Sequence, residues 1–253
     1  MAPSLSRRPV VLLLVLAGLA LAPAALRAQQ TIINVPSVDQ TKKGHVFFLH
    51  ETQARSWGGQ SFWQTTHFLT YGVTDRFEIA TTLYNFGTPL KQQVALGIGW
   101  KTAQPLDFLG AGAKRWEATF GAGQMVPISL RGDGVGLWSY AQVAARIPGI
   151  DLRVMGGISN GPRNLFGFNT THFIGSYELP LEKLGHAIGG GFGDFVGHMA
   201  LLGEWWSGQH EFADFVPGVN WHSGPLVVIL GYKFGNQPGT ASDGVIFEVG
   251  TTF

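Results

Sequence analysis

Ten charged side chains recur at one position of a repeating pattern, and their chemistry suits the recognition of ions and small polar solutes. Seven lie in segments where apolar residues alternate with other types, on the parity opposite to the apolar residues, and we assign Arg146, Glu178 and Glu204 to the same face. Because successive side chains of a β-strand point to opposite faces, all ten would project from one side of a sheet. The six acids and four bases are Glu78, Lys101, Glu117, Arg146, Asp151, Arg153, Glu178, Glu204, Lys233 and Glu248.

Two arrangements of serine and histidine could support nucleophilic catalysis. Residues 157–161 match the G-x-S-x-G pattern around Ser159, but that pattern needs a turn from a strand into a helix. The "PRNLFGFN" that follows begins with Pro162 and has no helical period, which favours a strand end. His172 and Ser176, four residues apart on one predicted strand face, leave a lipid-modifying hydrolase open. No third catalytic partner is identifiable for them, so we predict a protein that is not an enzyme.

The sequence offers little for a metal, a cofactor or a nucleic acid. His186 and His198 could face one another across a hairpin, but no further ligand accompanies them. The Gly-rich "GGGFGD" and "GAGAKR" match neither the dinucleotide-binding nor the phosphate-binding pattern. The 17 Lys and Arg residues include three in the leader, which leaves 14 against 16 acidic residues. We therefore expect no metal, no cofactor and no nucleic-acid partner.

The amino terminus has the organisation of a secretory signal peptide. A basic region with Arg7 and Arg8 precedes an apolar stretch over residues 10–22, which is shorter than the roughly 20 residues of a membrane-spanning helix. We predict a signal peptide over residues 1–28, with cleavage after Ala24 or Ala28. Residues 29–42 then form a periplasmic lead-in, or in part a plug. The chain has no Cys, which excludes disulfides and a lipid-modified cysteine.

After residue 30, period-two segments of about 10 residues recur through the chain. "LVVILGYKF", for example, sets Leu226, Val228 and Leu230 against Gly231 and Lys233. So many charges on one face are costly in a dry core, whereas a closed barrel in lipid keeps apolar residues outside and polar residues inside. A secreted soluble sandwich or a lipocalin-like barrel is the alternative.

The number of strands follows from parity. Thirteen segments qualify: 43–54, 62–72, 76–86, 92–102, 115–126, 135–147, 150–159, 168–179, 186–193, 198–206, 213–222, 225–234 and 244–253. An up-and-down barrel with both ends in the periplasm needs an even number, and the segment at 186–193 and the first one are the least regular. We predict an all-β fold, a transmembrane antiparallel up-and-down β-barrel of 12 strands over residues 43–253, with 10 or 14 tolerable.

The last ten residues, "GVIFEVGTTF", alternate strictly and end on an aromatic residue. With the leader and the amphipathic strands, this ending resembles the Gram-negative outer-membrane β-barrels. In that class a terminal strand of this kind is read by the barrel-assembly machinery, which implies that Phe247, Val249 and Phe253 form the assembly signal. The resemblance also implies a location in the cell outer membrane, with outer-membrane lipid and the assembly machinery as partners.

Function is less constrained than fold, because one barrel scaffold hosts many activities. The ten charges predict a narrow, passive channel or transporter with a weak preference for small neutral or cationic solutes. They could equally pair across strands and fill the barrel, which would make it structural. The lipid-modifying hydrolase is the remaining alternative.

Overall fold

Twelve strands form one closed antiparallel barrel within the described part of the chain. The computed structural model describes residues 31–57, 59–88, 91–107, 117–161, 171–208, 210, 212–236 and 243–253. The strands are β1 (Val46–Trp57), β2 (Gln60–Thr74), β3 (Phe77–Thr88), β4 (Lys91–Pro105), β5 (Thr119–Ser129), β6 (Trp138–Arg146), β7 (Arg153–Asn160), β8 (Thr171–Pro180), β9 (Met199–Trp206), β10 (Asp214–Ser223), β11 (Leu226–Gly235) and β12 (Asp243–Thr252). The predicted fold class and strand number are confirmed. The predicted signal peptide lies outside the described residues.

The barrel closes between its first and last strands. Each strand pairs with its neighbours in sequence, and β12 pairs with β1 from Phe47 opposite Thr252 to Ser56 opposite Asp243. Closure leaves no unpaired edge, which a strand in a hydrocarbon environment requires. The backbone N–H of Val46 also donates to the carbonyl of Phe253, so β1 begins where β12 ends. We call this the terminal end of the barrel and the other the far end.

The two faces of the barrel wall differ in chemistry. On the outer face Ile98, Leu230 and Phe247 expose 55%, 51% and 42% of their surface, whereas Glu78 and Lys233 on the inner face are fully buried. Water disfavours an apolar surface that continues around the whole wall, and hydrocarbon accepts it. The alternation in the sequence therefore predicts the two faces correctly.

The tryptophans divide between the faces. Trp63 and Trp205 are exposed on the outer face near the far end, and Trp100 stacks on Phe77 on the outer face near the terminal end. These positions suit an aromatic girdle. Trp138 and Trp206 instead face the lumen, where their rings lie 6.2 Å apart.

The connection from β8 to β9 holds two short helices, α1 (Glu182–Ile188) and α2 (Gly190–Gly197). The candidate segment at 186–193, one of the two least regular of the thirteen, is therefore helical and not a strand. A Cβ at Gly185 would lie 2.5 Å from the Gly193 carbonyl oxygen, so glycine lets the helices approach closely. Among the described residues, no helix is long and apolar enough to cross a membrane.

Residues 31–42, which we call the plug segment, lie inside the barrel. A turn closed by the Ile32 N–H and the Val35 carbonyl begins the described part, and Ile32, Ile33 and Val35 have no exposed surface. These side chains belong to clusters with inward apolar residues of the wall, including Phe47 and Leu202. For residues 31–42 this position agrees with the alternative of a partial plug and not with a periplasmic lead-in. The inward apolar residues of the wall pack against this segment.

Candidate functional site: the plugged lumen

Seven of the ten predicted charges lie on the inner face of the wall. Glu78 and Lys101 pair across β3 and β4 with 3.3 Å between Nζ and Oε1. Arg153 and Glu178 pair across β7 and β8 with 2.5 Å between Nη2 and Oε2. The other three of these charges are Glu204, Lys233 and Glu248, all fully or almost fully buried. Their role in selectivity stays a prediction.

The other three predicted charges lie at the rim of the terminal end. Arg146 keeps the inward parity of β6, opposite Arg153, whereas the lumen placement of Glu117 and Asp151 is corrected, because both lie outside the strands. Glu117 precedes β5 with a positive φ of 46°, and Asp151 lies in the turn before β7 with a φ of 58°, so strand alternation does not orient them. Arg146, the last residue of β6, is half-buried and pairs with Glu117 at 3.2 Å. Lys183 lies 2.8 Å from Asp151, and its hydrogen bond lowers the pKa of that carboxyl.

Glu204 holds the turn of the plug segment. Its carboxylate oxygens accept the backbone N–H groups of Ile33, Asn34 and Val35 at 3.0, 2.8 and 2.7 Å, and the side-chain amide of Asn34 at 3.1 Å. Three consecutive N–H groups that converge on one anion form a nest, and charged acceptors make the stronger hydrogen bonds. The buried carboxylate of Glu204 thereby accepts hydrogen bonds from backbone N–H groups that would otherwise lack partners in the lumen.

Further attachments follow the segment toward the terminal end. The Gln142 amide donates to the Pro36 carbonyl at 2.6 Å. Arg153 makes a bidentate contact with Asp39, at 2.6 and 2.8 Å. The Thr41 N–H donates to Glu78 at 2.6 Å. The lumen charges of β3, β7 and β9 thus bind the plug segment as well as one another.

A cavity of about 70 Å³ lies beside the turn of the plug segment. Its polar lining includes Glu51, Gln53 and Gln64, and its aromatic lining includes Trp206 and Phe212. Among the residues that the structure describes, the lining is Thr31, Asn34, Glu51, Gln53, Gln64, Thr66, Phe68, Tyr84, Met125, Pro127, Trp138, Trp206 and Phe212. The lining thus combines hydrogen-bonding side chains with apolar and aromatic ones.

A buried charged cluster adjoins this cavity. The sequence predicted its members Lys233 and Glu248 but missed Glu51 and Asp214. Glu51 of β1 lies opposite Glu248 of β12 on the inner face. Lys233 pairs with Asp214 at 2.8 Å and donates to Gln53 at 3.2 Å. The period-two spacing of Glu51, Gln53 and Arg55 in "HETQARS" was a usable signal. The pairing of Arg153 with Asp39 had no such signal, because the segment carries no strand pattern.

The serine and histidine arrangements do not resemble a hydrolase site. Ser159 lies within β7, where its hydroxyl accepts the indole N–H of Trp138 at 2.6 Å. His172 and Ser176 both face the lumen from β8, and the ring of His172 packs against that of His210 with centroids 4.0 Å apart. Neither serine lies on the lipid-facing surface. Within the described ranges, no three His, Asp or Glu side chains are grouped to hold a metal ion.

The predicted assembly residues share the outer face of β12. Phe247 and Phe253 are exposed, Phe253 at 70%, and Val249 between them is half-buried. The strand β12 is paired on both of its edges, with β1 on one side and β11 on the other. Recognition by the assembly machinery stays a prediction.

Comparison with solved structures places the fold among outer-membrane β-barrels. The KdgM porin, solved in complex with disordered oligogalacturonate, superposes with a TM-score of 0.50 at 8% identity, over 83% of this chain and 98% of that one. An outer membrane channel from Pseudomonas putida F1 gives a TM-score of 0.46 at 10% identity, covering 86% and 98%. The translocator domain of the autotransporter NalP from Neisseria meningitidis gives 0.43 at 13%, covering 83% and 88%. No protein-family model and no curated protein matches the sequence.

The chain therefore has the fold of an outer-membrane β-barrel, as the sequence predicts. The apolar outer wall, the charged inner wall and the closed ladder of hydrogen bonds all belong to this class.

Proposed function

We propose that the protein is a passive channel for small solutes in the outer membrane, closed in this structure by the plug segment. The proposal is supported mainly by the contacts that hold this segment in the lumen. Each hydrogen bond or ion pair that joins it to Glu204, Gln142, Arg153 or Glu78 is non-covalent, so the segment can leave without breaking a bond of the chain.

A passage through the barrel requires movement of the plug segment. Ile32, Ile33 and Ser37 have no exposed surface, so they fill the lumen at their level. Neutral hydrogen bonds contribute about 0.5–1.5 kcal/mol each and charged ones about 1.5–3 kcal/mol. A segment held by a few such contacts and some apolar packing can exchange between a bound and a released state.

Charge favours neutral or cationic solutes. With the plug segment released, the described inner face carries six acids and four bases, apart from the half-buried Arg146 at the rim. The acids are Glu51, Glu78, Glu178, Glu204, Asp214 and Glu248, and the bases are Arg55, Lys101, Arg153 and Lys233. A net negative lumen attracts cations and repels anions. The hydrogen-bonding and aromatic sides of the cavity suit a small polar solute with an apolar face.

The proposal is tested by conductance in planar lipid bilayers. We compare the intact protein with a variant that lacks residues 31–42. We expect discrete current steps, a larger unitary conductance for the deletion variant, and cation selectivity when a KCl gradient is applied. Heat-modifiable migration on a gel checks that both proteins are folded.

Insulating behaviour of both folded proteins would overturn the channel and favour a structural barrel. Conductance of the intact protein that deletion leaves unchanged would place the conducting path somewhere other than beside the plug segment, and would remove the gate from the proposal.

A further inference from the structure

The connection between β8 and β9 differs from the tight turns at the terminal end. β2 joins β3 and β10 joins β11 through two residues each, whereas α1 and α2 occupy an excursion between Pro180 and Met199. We call residues 181–198 the helical hairpin. Its helices face each other through Gly185 and Gly193, where an added Cβ would collide with backbone, and the backbone of Gly197 also lies against Gly185.

The large apolar side chains of the hairpin point away from this glycine contact. Leu184 and Ile188 are four residues apart on α1, so they share a face, and they expose 50% and 45% of their surface. Phe192 and Phe195 are three apart on α2 and expose 68% and 49%. A small helical hairpin in water would bury such residues between its helices, because exposed apolar surface is costly.

The position of the hairpin explains its exposed apolar face. The ring of Phe195 lies 6.2 Å from that of Trp221, which is on the outer face of β10. The His222 N–H donates to the His198 carbonyl at 3.0 Å. At the other end Lys183 donates to the Gly149 carbonyl at 2.6 Å. The hairpin therefore lies along the outer rim of the terminal end, and its exposed apolar face adjoins the lipid-facing wall through the contact of Phe195 with Trp221.

We propose that the helical hairpin is an interfacial membrane anchor, with Leu184, Ile188, Phe192 and Phe195 embedded in the phospholipid of the leaflet at the terminal end. Short turns mark this end as periplasmic in barrels of this class. Phe and Leu side chains on an amphipathic helix enter the boundary between headgroups and acyl chains, and Trp221 beside them is a residue that favours the same depth. The occupant is lipid rather than a protein because the apolar face is continuous with the barrel wall. This inference does not depend on solute conduction.

The absence of cysteine from the chain makes a direct test possible. Phe192→Cys and Asp194→Cys place a single thiol two residues apart on α2, at positions that are both exposed in the structure. Each is labelled with an environment-sensitive fluorophore after reconstitution into phosphatidylethanolamine and phosphatidylglycerol vesicles. Quenching is measured with doxyl groups on the acyl chains and with iodide in the buffer.

We expect the label at position 192 to be quenched at least threefold more strongly by the doxyl lipid than the label at position 194, and the reverse with iodide. Leu184→Cys should behave as Phe192→Cys does, which guards against a local disturbance at one position. Equal iodide quenching at 184, 192 and 194 with no doxyl quenching would overturn the anchor. Shielding of 184 and 192 from both quenchers would overturn it too, in favour of a protein contact.

Discussion

The carboxylate of Glu204 is the residue on which the closed state of the lumen depends most. It is 2% exposed and accepts three consecutive backbone N–H groups of the plug segment. Glu204→Gln keeps the shape but removes the charge and one acceptor oxygen. We expect the bound state of the segment to lose about 2 kcal/mol, since hydrogen bonds to charged groups contribute about 1.5–3 kcal/mol each. That loss corresponds to a roughly 30-fold rise in the released fraction, measured as open probability in bilayers.

Glu248→Gln is the matched control at the residue scale. Glu248 is also a fully buried carboxylate of the inner wall, but the neighbour it faces is Glu51, not the plug segment. We expect its open probability to stay within about threefold of the intact protein, within ordinary scatter of such energies. An equal response of both variants would show that lumen charge alone, and not the attachment of the segment, controls opening.

The direction of a charged side chain could be predicted from the sequence where that residue lies in the middle of a strand. Glu78, Lys101 and Lys233 alternate with apolar neighbours, so their inward direction follows from the period of the strand. Asp151 and Glu117 lie where the strand ends, and a positive φ there reorients the side chain. Their position at the rim depends on the geometry of the turns, and the two-residue alternation of a strand does not predict that geometry.

Among the elements, the end of β2 guides the plug segment out of the barrel. Gly72 forms a bridge with Lys43, and a Cβ added to Gly72 would collide with the carbonyl oxygens of Thr41 and Lys42. We expect Gly72→Ala to displace the segment at a cost of about 1–3 kcal/mol, as overpacking does elsewhere. Open probability should rise about tenfold in single-channel recordings.

Gly156→Ala provides the comparison, because a Cβ on that strand glycine of β7 would meet nothing within 4 Å. It should conduct as the intact protein does. Heat-modifiable migration on a gel checks that Gly72→Ala is folded. If the folded variant has the same open probability as Gly156→Ala, β2 does not position the plug segment.

The elements were predictable to the extent that they alternate. The strands could be placed approximately, whereas the segment at 186–193, which qualified as a strand by its spacing, belongs to the helical hairpin. The spacing of its glycines resembles the two-residue alternation of a strand. In the structure these glycines allow α1 and α2 to pack closely. A strand there would also have given thirteen strands, so the even number required by the barrel was the better guide.

For the molecule as a whole, the lipid-facing wall was predictable and the occupied lumen was not. The wall follows from a local period of two that repeats through the chain. The plug segment, "TIINVPSVDQTK", packs against residues more than a hundred positions away, such as Gln142 and Glu204. Such contacts depend on which strands meet around the lumen, and the sequence of the segment alone does not contain that information.

The proposed closed state requires residues 31–42 to occupy the lumen of the membrane-inserted barrel. A Cβ at Gly121 would lie 3.5 Å from the Cβ of Val38, a separation that suits a disulfide. In the cysteine-free chain, Val38→Cys with Gly121→Cys therefore makes a reversible tether. We predict that the disulfide forms in bilayers, that the oxidised protein insulates, and that reduction restores the openings of the single Val38→Cys variant. Oxidised and reduced proteins that conduct alike, or thiols that never join in the folded barrel, would contradict the account.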